Sequence, residues 1–161
     1  MVKRSVHHPD FDDLVKMNME VVTLTREPSE YSSADKAKLE SLVSEVAQRA
    51  DNQEFEDAVC EKASLLVYKL ASGQYFKAGN KRTALVAGHV FLRKNGFKVD
   101  LRSRSMAFTV DKVGVGAANL EDLYEVVKGL ATKSPTDRKG WSGSTKESVA
   151  ANRRFLTDLG S

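Results

Sequence analysis

Residues 78 to 83, Ala78-Gly79-Asn80-Lys81-Arg82-Thr83, carry a type and spacing of residue suited to holding an anion. A glycine lets backbone approach a ligand closely, and two cations follow it at what the downstream pattern marks as a helix start. The first N–H groups of a helix have no internal partner and sit at the positive end of its dipole, so a phosphate there gains hydrogen bonds as well as charge. Arg82 has the planar fork that grips two phosphate oxygens, and Lys81 adds a mobile point charge. The bland alternative is a glycine-rich turn opening an ordinary helix, which is common.

The flanking residues decide what elements must position this loop. Phe55, Val59, Ala63, Leu66, Val67 and Leu70 fall at helical spacing within 54–71, and Ser72-Gly73 ends that helix. A further helix starts near Asn80 and runs to Asn95-Gly96, with Arg93 and Lys94 in its last turn. Its apolar residues wrap more than one face, which predicts a helix buried among others. Upstream, Phe11, Leu14, Val15, Asn18, Val21 and Val22 predict a helix behind Asp10, and Leu39, Leu42, Val43 and Val46 predict a second one behind Ser33. Downstream, Asn119 caps a stripe of Leu120, Leu123, Val126, Val127 and Leu130. Residues 97–100 alternate weakly, 103–116 give no assigned element, and strand signals are thin throughout. The expectation is an all-α bundle around a central buried helix, with residues 1–131 as the domain and 132–161 as a polar, flexible C-terminal arm holding one short helix through Val149, Leu156 and Leu159. Trp141 in that arm is expected to tuck onto the bundle.

Residues 61–97, EKASLLVYKLASGQYFKAGNKRTALVAGHVFLRKNGF, resemble the Fic/Doc family, in particular its death-on-curing (Doc) branch. That branch's signature reads roughly His-x-Phe-x-Asp-Gly/Ala-Asn-Lys-Arg-Thr-Ala, then a helix ending Phe-Leu-x-x-Asn-Gly. Phe76, Gly79, Asn80, Lys81, Arg82, Thr83, Ala84, Phe91, Leu92, Asn95 and Gly96 match it, and weaker similarity spans about residues 10–130. The resemblance implies a helical Fic fold and transfer of a phosphoryl or nucleotidyl group from ATP to a protein hydroxyl. Lys81 favours the Doc side, because the Fic branch usually has Gly there and a second Arg where this chain has Leu85.

Two departures from the signature bear on activity. Gln74 stands where the family has its general-base histidine, and Ala78 where it has its acidic metal ligand. A glutamine amide cannot take a proton near neutrality, and a positioned general base contributes about 10²- to 10⁴-fold. Without the carboxylate, the anchor for Mg²⁺ is gone, and with it the charge neutralisation on which phosphoryl transfer depends. The expectation is a residual phosphate or nucleotide loop (Gly79, Asn80, Lys81, Arg82, Thr83) with impaired catalysis. The alternatives are an active kinase or AMP-transferase with another base, and a protein-interaction module without an enzymatic role. Natural loss and deliberate replacement at positions 74 and 78 would leave the same sequence. The family also implies a protein target and a small antitoxin partner. Its inhibitory motif, in which Glu precedes Gly or Asn, has no match in the chain.

The remaining composition narrows the class. The chain has 161 residues and a formal charge of +3. Residues 132–161 hold six Lys or Arg against three acids, which leaves the rest neutral, so no basic stripe for nucleic acid is indicated. Cys60 is the single cysteine, which excludes an intramolecular disulfide. The first residues lack the apolar run of about 7 to 15 residues of a secretion leader, and no stretch reaches the roughly 18 apolar residues of a membrane span. A soluble cytoplasmic protein is the expectation. His89 lies roughly 10 Å along its helix from Arg82, too far to replace the missing base, and reads as structural. His7 and His8 read as a mobile terminus.

Overall fold

The two helices that flank the Gly79 loop pair at the centre of the molecule. In the computed structural model, which describes residues 4–31 and 33–159, α3 (Phe55–Ser72) packs along α4 (Asn80–Lys94), and twelve of the fifteen residues of α4 are buried. The helices are in close contact at Gly88, where an added Cβ would lie 2.5 Å from Val67 Cγ2. Around this pair stand α1 (Phe11–Thr25), α2 (Ser33–Gln48), α5 (Arg104–Gly114), α6 (Leu120–Leu130), α7 (Trp141–Ala151) and α8 (Arg153–Asp158). Two short strands, β1 (Phe97–Lys98) and β2 (Thr132–Lys133), pair antiparallel with Phe97 opposite Lys133. The architecture is the expected all-α bundle around a central buried helix.

Local chemistry explains several element boundaries. Asp10 and Asp13 form a reciprocal capping box at the start of α1, each carboxylate accepting from the other's backbone N–H at 2.8 Å. Asn119 and Asp122 do the same for α6 at 2.9 Å. At the far end of α2, Lys62 reaches out of α3 with only 1% of its surface exposed. Its ammonium donates to Val46 O (3.1 Å), Ala47 O (2.7 Å) and Asp51 Oδ1 (3.1 Å), which uses all three protons. A cation at the carbonyl end of a helix is stabilised by the dipole, and full pairing is what makes its burial tolerable. Cys60 is buried, and burial pushes its thiol up to about 11, so it behaves as a small apolar side chain.

Three segments differ from the sequence reading. Residues 104–114 form α5, whose Met106, Val110 and Val113 face the core at helical spacing that the intervening polar residues and glycines obscure. The stretch expected to be a flexible arm instead holds two helices, with α7 packed on α1 and α4, and α8 on α1 and α7. Val149 and Leu156 are buried there, and the buried hydroxyls of Ser144, Thr145 and Ser148 all have partners. Trp141 packs against the core with its ring 6.4 Å from that of Phe91, as expected. At the other terminus, the backbone of His7 is held by the wholly buried Asn95, whose side chain accepts from His7 N (2.7 Å) and donates to His7 O (3.1 Å). His89 is structural: its Nδ1 lies 2.9 Å from Ser148 Oγ, joining α4 to α7, and burial lowers its pKa.

The docked C-terminal helices make a measurable claim. Leu156 is completely buried, so Leu156→Ala is expected to destabilise the fold by about 2–5 kcal/mol in chemical denaturation. An unchanged unfolding midpoint would mean that 141–159 is an arm after all.

Candidate phosphate-binding loop

The loop between α3 and α4 is folded by its own polar side chains. Gly73 closes α3, its N–H donating to Lys69 O at 2.8 Å, and Gln74 follows in the left-handed region at φ +52°. The Asn80 side chain then closes the turn on itself, accepting from Phe76 N (3.1 Å) and donating to Phe76 O (2.8 Å). Tyr75 and Phe76 are buried beneath the loop. From the opposite side Asn18, fully buried on α1, donates to Ala78 O (2.9 Å) and Thr83 Oγ1 (3.1 Å), and its oxygen accepts from Ser29 Oγ (2.8 Å). Gly79 sits at φ +74°, and a Cβ there would lie 3.0 Å from Val22 Cγ1. Position 79 therefore requires glycine both for its backbone conformation and for the close approach to α1.

This scaffold shapes a cavity of about 340 Å³ lined by Glu27, Gln74, Lys77, Ala78, Gly79, Asn80 and Lys81, with Gly114 and Val115 at the end of α5 as part of its wall. No side chain caps the start of α4, so the first N–H groups remain open to an anion. Lys81 Nζ is paired with Asp111 Oδ1 at 2.9 Å. Lys77 is paired with Glu30 at 2.8 Å, a hydrogen bond that raises its pKa, and its N–H donates to Glu30 O at 3.1 Å.

Two of the residues assigned to the loop by sequence do not line the cavity. Thr83 is fully buried and serves as the acceptor for Asn18. Arg82 is only 6% exposed and turns its fork away. Its Nε donates to Leu156 O at 2.7 Å and its Nη2 to Leu159 O, so the guanidinium caps the carbonyl end of α8. The remaining nitrogen, Nη1, is buried without a hydrogen bond, 3.7 Å from Glu27 Oε1. Of the sequence-assigned site residues, the structure thus brings together Gln74, Ala78, Gly79, Asn80 and Lys81 around one cavity, and commits Arg82 elsewhere.

The carboxylates near the loop each face a cation. Glu27 faces Arg82 and Asp111 faces Lys81, while position 78 presents a methyl group. Among the described residues no grouping of three or more His, Cys, Asp or Glu is placed to hold an ion. Among those same residues no helix is long and apolar enough to cross a membrane.

A family model described as Fic/DOC family matches residues 9–92, just over half of the chain, including α1, α3 and most of α4. The chain belongs to the Fic/DOC family. This is a family of AMP or phosphate transfer in general terms. No curated protein and no solved structure matches the chain. The Fic/DOC match ends within α4, so α8, which holds Arg82, lies outside it.

Sequence reasoning missed four participants. Asn18 left a trace, a lone amide on the apolar stripe of α1, a position where a buried polar group needs partners. Glu27, Asp111 and the α8 carbonyls left none, because their roles arise from packing between distant segments. Asn18→Ala is expected to leave Ala78 O, Thr83 Oγ1 and Ser29 Oγ without this partner. Denaturation should show a loss of about 1–3 kcal/mol, together with faster amide exchange at Gly79. Unchanged exchange there would show that the loop is held by other means.

Proposed function

We propose that this protein is a Doc-branch member of the Fic/DOC family that retains a phosphate-binding loop and is impaired in group transfer. The observation that carries this reading is the state of three positions, two on the cavity and one turned away from it. Gln74 offers an amide in place of a base, Ala78 a methyl in place of a metal ligand, and Arg82 is committed to α8. The residues that remain, Lys81 and the open N–H groups of α4, suit a phosphate group. Glu27 on the cavity wall opposes an anion, which argues for weak binding of ATP. In the intact reaction a base would take the proton from a protein hydroxyl as its oxygen attacks phosphorus and ADP or pyrophosphate leaves, and a metal ion would neutralise the charge gathering on that leaving group. The chain supplies neither group. A protein target and a small antitoxin-like partner follow as part of the Doc-branch reading, and binding rather than turnover is then the role left to this chain.

The test is transfer of label from ATP, marked at the α or the γ phosphate, into lysate proteins with Mg²⁺ present. The unaltered chain is expected to transfer none, and Gln74→His/Ala78→Asp to restore transfer, with the labelled phosphate identifying the reaction. ATP is expected to raise the melting temperature of the unaltered chain slightly, through binding to the folded state alone. Label from the unaltered chain would overturn the impaired reading. Absence of any thermal shift would overturn the retained loop and leave a pure interaction module.

A further inference from the structure

A second cluster of cations gathers at the opposite end of α4, roughly 20 Å along the axis from Lys81 at the helical rise per residue. There a cavity of about 410 Å³ is lined by Arg4, His7, Lys94, Thr136, Asp137 and Arg138. We propose that this cavity is an anion site separate from the loop at Gly79, and that it takes a small soluble ligand carrying a phosphate group.

The cavity is built from three segments that the fold fixes in place. His7 is clamped to Asn95 through both its N–H and its carbonyl. The Arg4 guanidinium carbon lies over Phe55, 4.2 Å from the ring centroid, a cation–π contact that restrains it. The segment after β2 is tied to the end of α4 by Ser134 N to Gly96 O (2.9 Å) and Asp137 N to Arg93 O (3.0 Å). Arg4 Nη2 and Thr136 Oγ1 converge over Gly96, each 3.3 Å from where a Cβ would stand. Gly96 itself sits at φ +85°, where glycine is favoured.

The charge of the cavity is one-sided. Asp137 is its single acid, and its carboxylate is turned inward with 5% of the side chain exposed. It accepts from Ser144 Oγ (3.0 Å) and Lys139 N (2.9 Å). Among the described residues no ion pair engages Arg4 or Arg138; Lys94 donates to Lys139 O, lies over the Trp141 ring and acts electrostatically on Asp137. The dipole of α4 draws cations to this end, but its terminal carbonyls are already capped, Arg93 O by Asp137 N and Phe91 O by Asn95 Nδ2. Arg4 and Arg138 reach the cavity from other segments, so helix capping does not account for them. The volume lies in the range of small-ligand sites, and the cluster is a pocket rather than the extended basic track that a nucleic acid strand follows.

The test is a titration of the full chain with inorganic pyrophosphate, followed in ¹H–¹⁵N amide spectra. Saturable shifts are expected at His7, Gly96, Thr136 and Arg138. Arg138→Glu, at an exposed position, should weaken them about tenfold or more through loss of a charge-assisted contact and gain of repulsion, while Lys81→Ala leaves them intact. Shifts confined to residues 79–82, shifts that never saturate, or equal affinity in Arg138→Glu would overturn the site. A single-stranded oligonucleotide that binds there more tightly than pyrophosphate would overturn its assignment to a small ligand.

Discussion

A guanidinium held against the carbonyl end of a six-residue helix connects the core of this protein to its C-terminal region. Arg82 leaves the first turn of α4, the helix around which the bundle is built, and donates to Leu156 O and Leu159 O. A helix as short as α8 has little stability of its own. It holds through the burial of Leu156 and through this cap, where a delocalised cation meets carbonyls at the negative end of a dipole. The same contact removes from the loop the side chain best suited to fork a phosphate, so one interaction supports the fold and alters the site.

The arrangement belongs to a wider pattern in this chain, in which buried polar groups on the central helices fix the ends of their neighbours. Lys62 closes α2 as Arg82 closes α8. Three buried asparagines handle the loops: Asn18 and Asn80 hold 76–83 from either side, and Asn95 holds the N-terminal stretch. Leaving such a donor or acceptor unpaired is costly, whereas each satisfied one fixes a single geometry. That is why residues 76–83 hold one shape with Gln74 and Ala78 beside them.

Much of this was legible in the residues. The periodicity of 55–71 and 80–94 gave the central pair, Asp10 and Asn119 marked their helices, and Gly79-Asn80-Lys81-Arg82 marked the loop because glycine, cations and a helix start have local signatures. What stayed hidden depended on long-range packing. Residues 141–159 read as polar because Ser144, Thr145 and Ser148 are buried hydroxyls, and their partners lie in the tertiary structure or one turn away. The fork of Arg82 suits phosphate and helix carbonyls equally, and only the position of α8 decides between them. His89 was readable as structural, yet its partner Ser148 is 59 residues away.

The central claim is that Arg82 is committed to α8 rather than to the loop cavity, and the guanidinium Nε–H reports on it directly. In ¹H–¹⁵N spectra of arginine side chains, the Arg82 Nε–H is expected to exchange slowly with water and to keep its shift when ATP is added, while the backbone amides of Asn80 and Lys81 move. A rapidly exchanging Nε–H, or one displaced by ATP together with those amides, would place Arg82 on the phosphate and contradict the account.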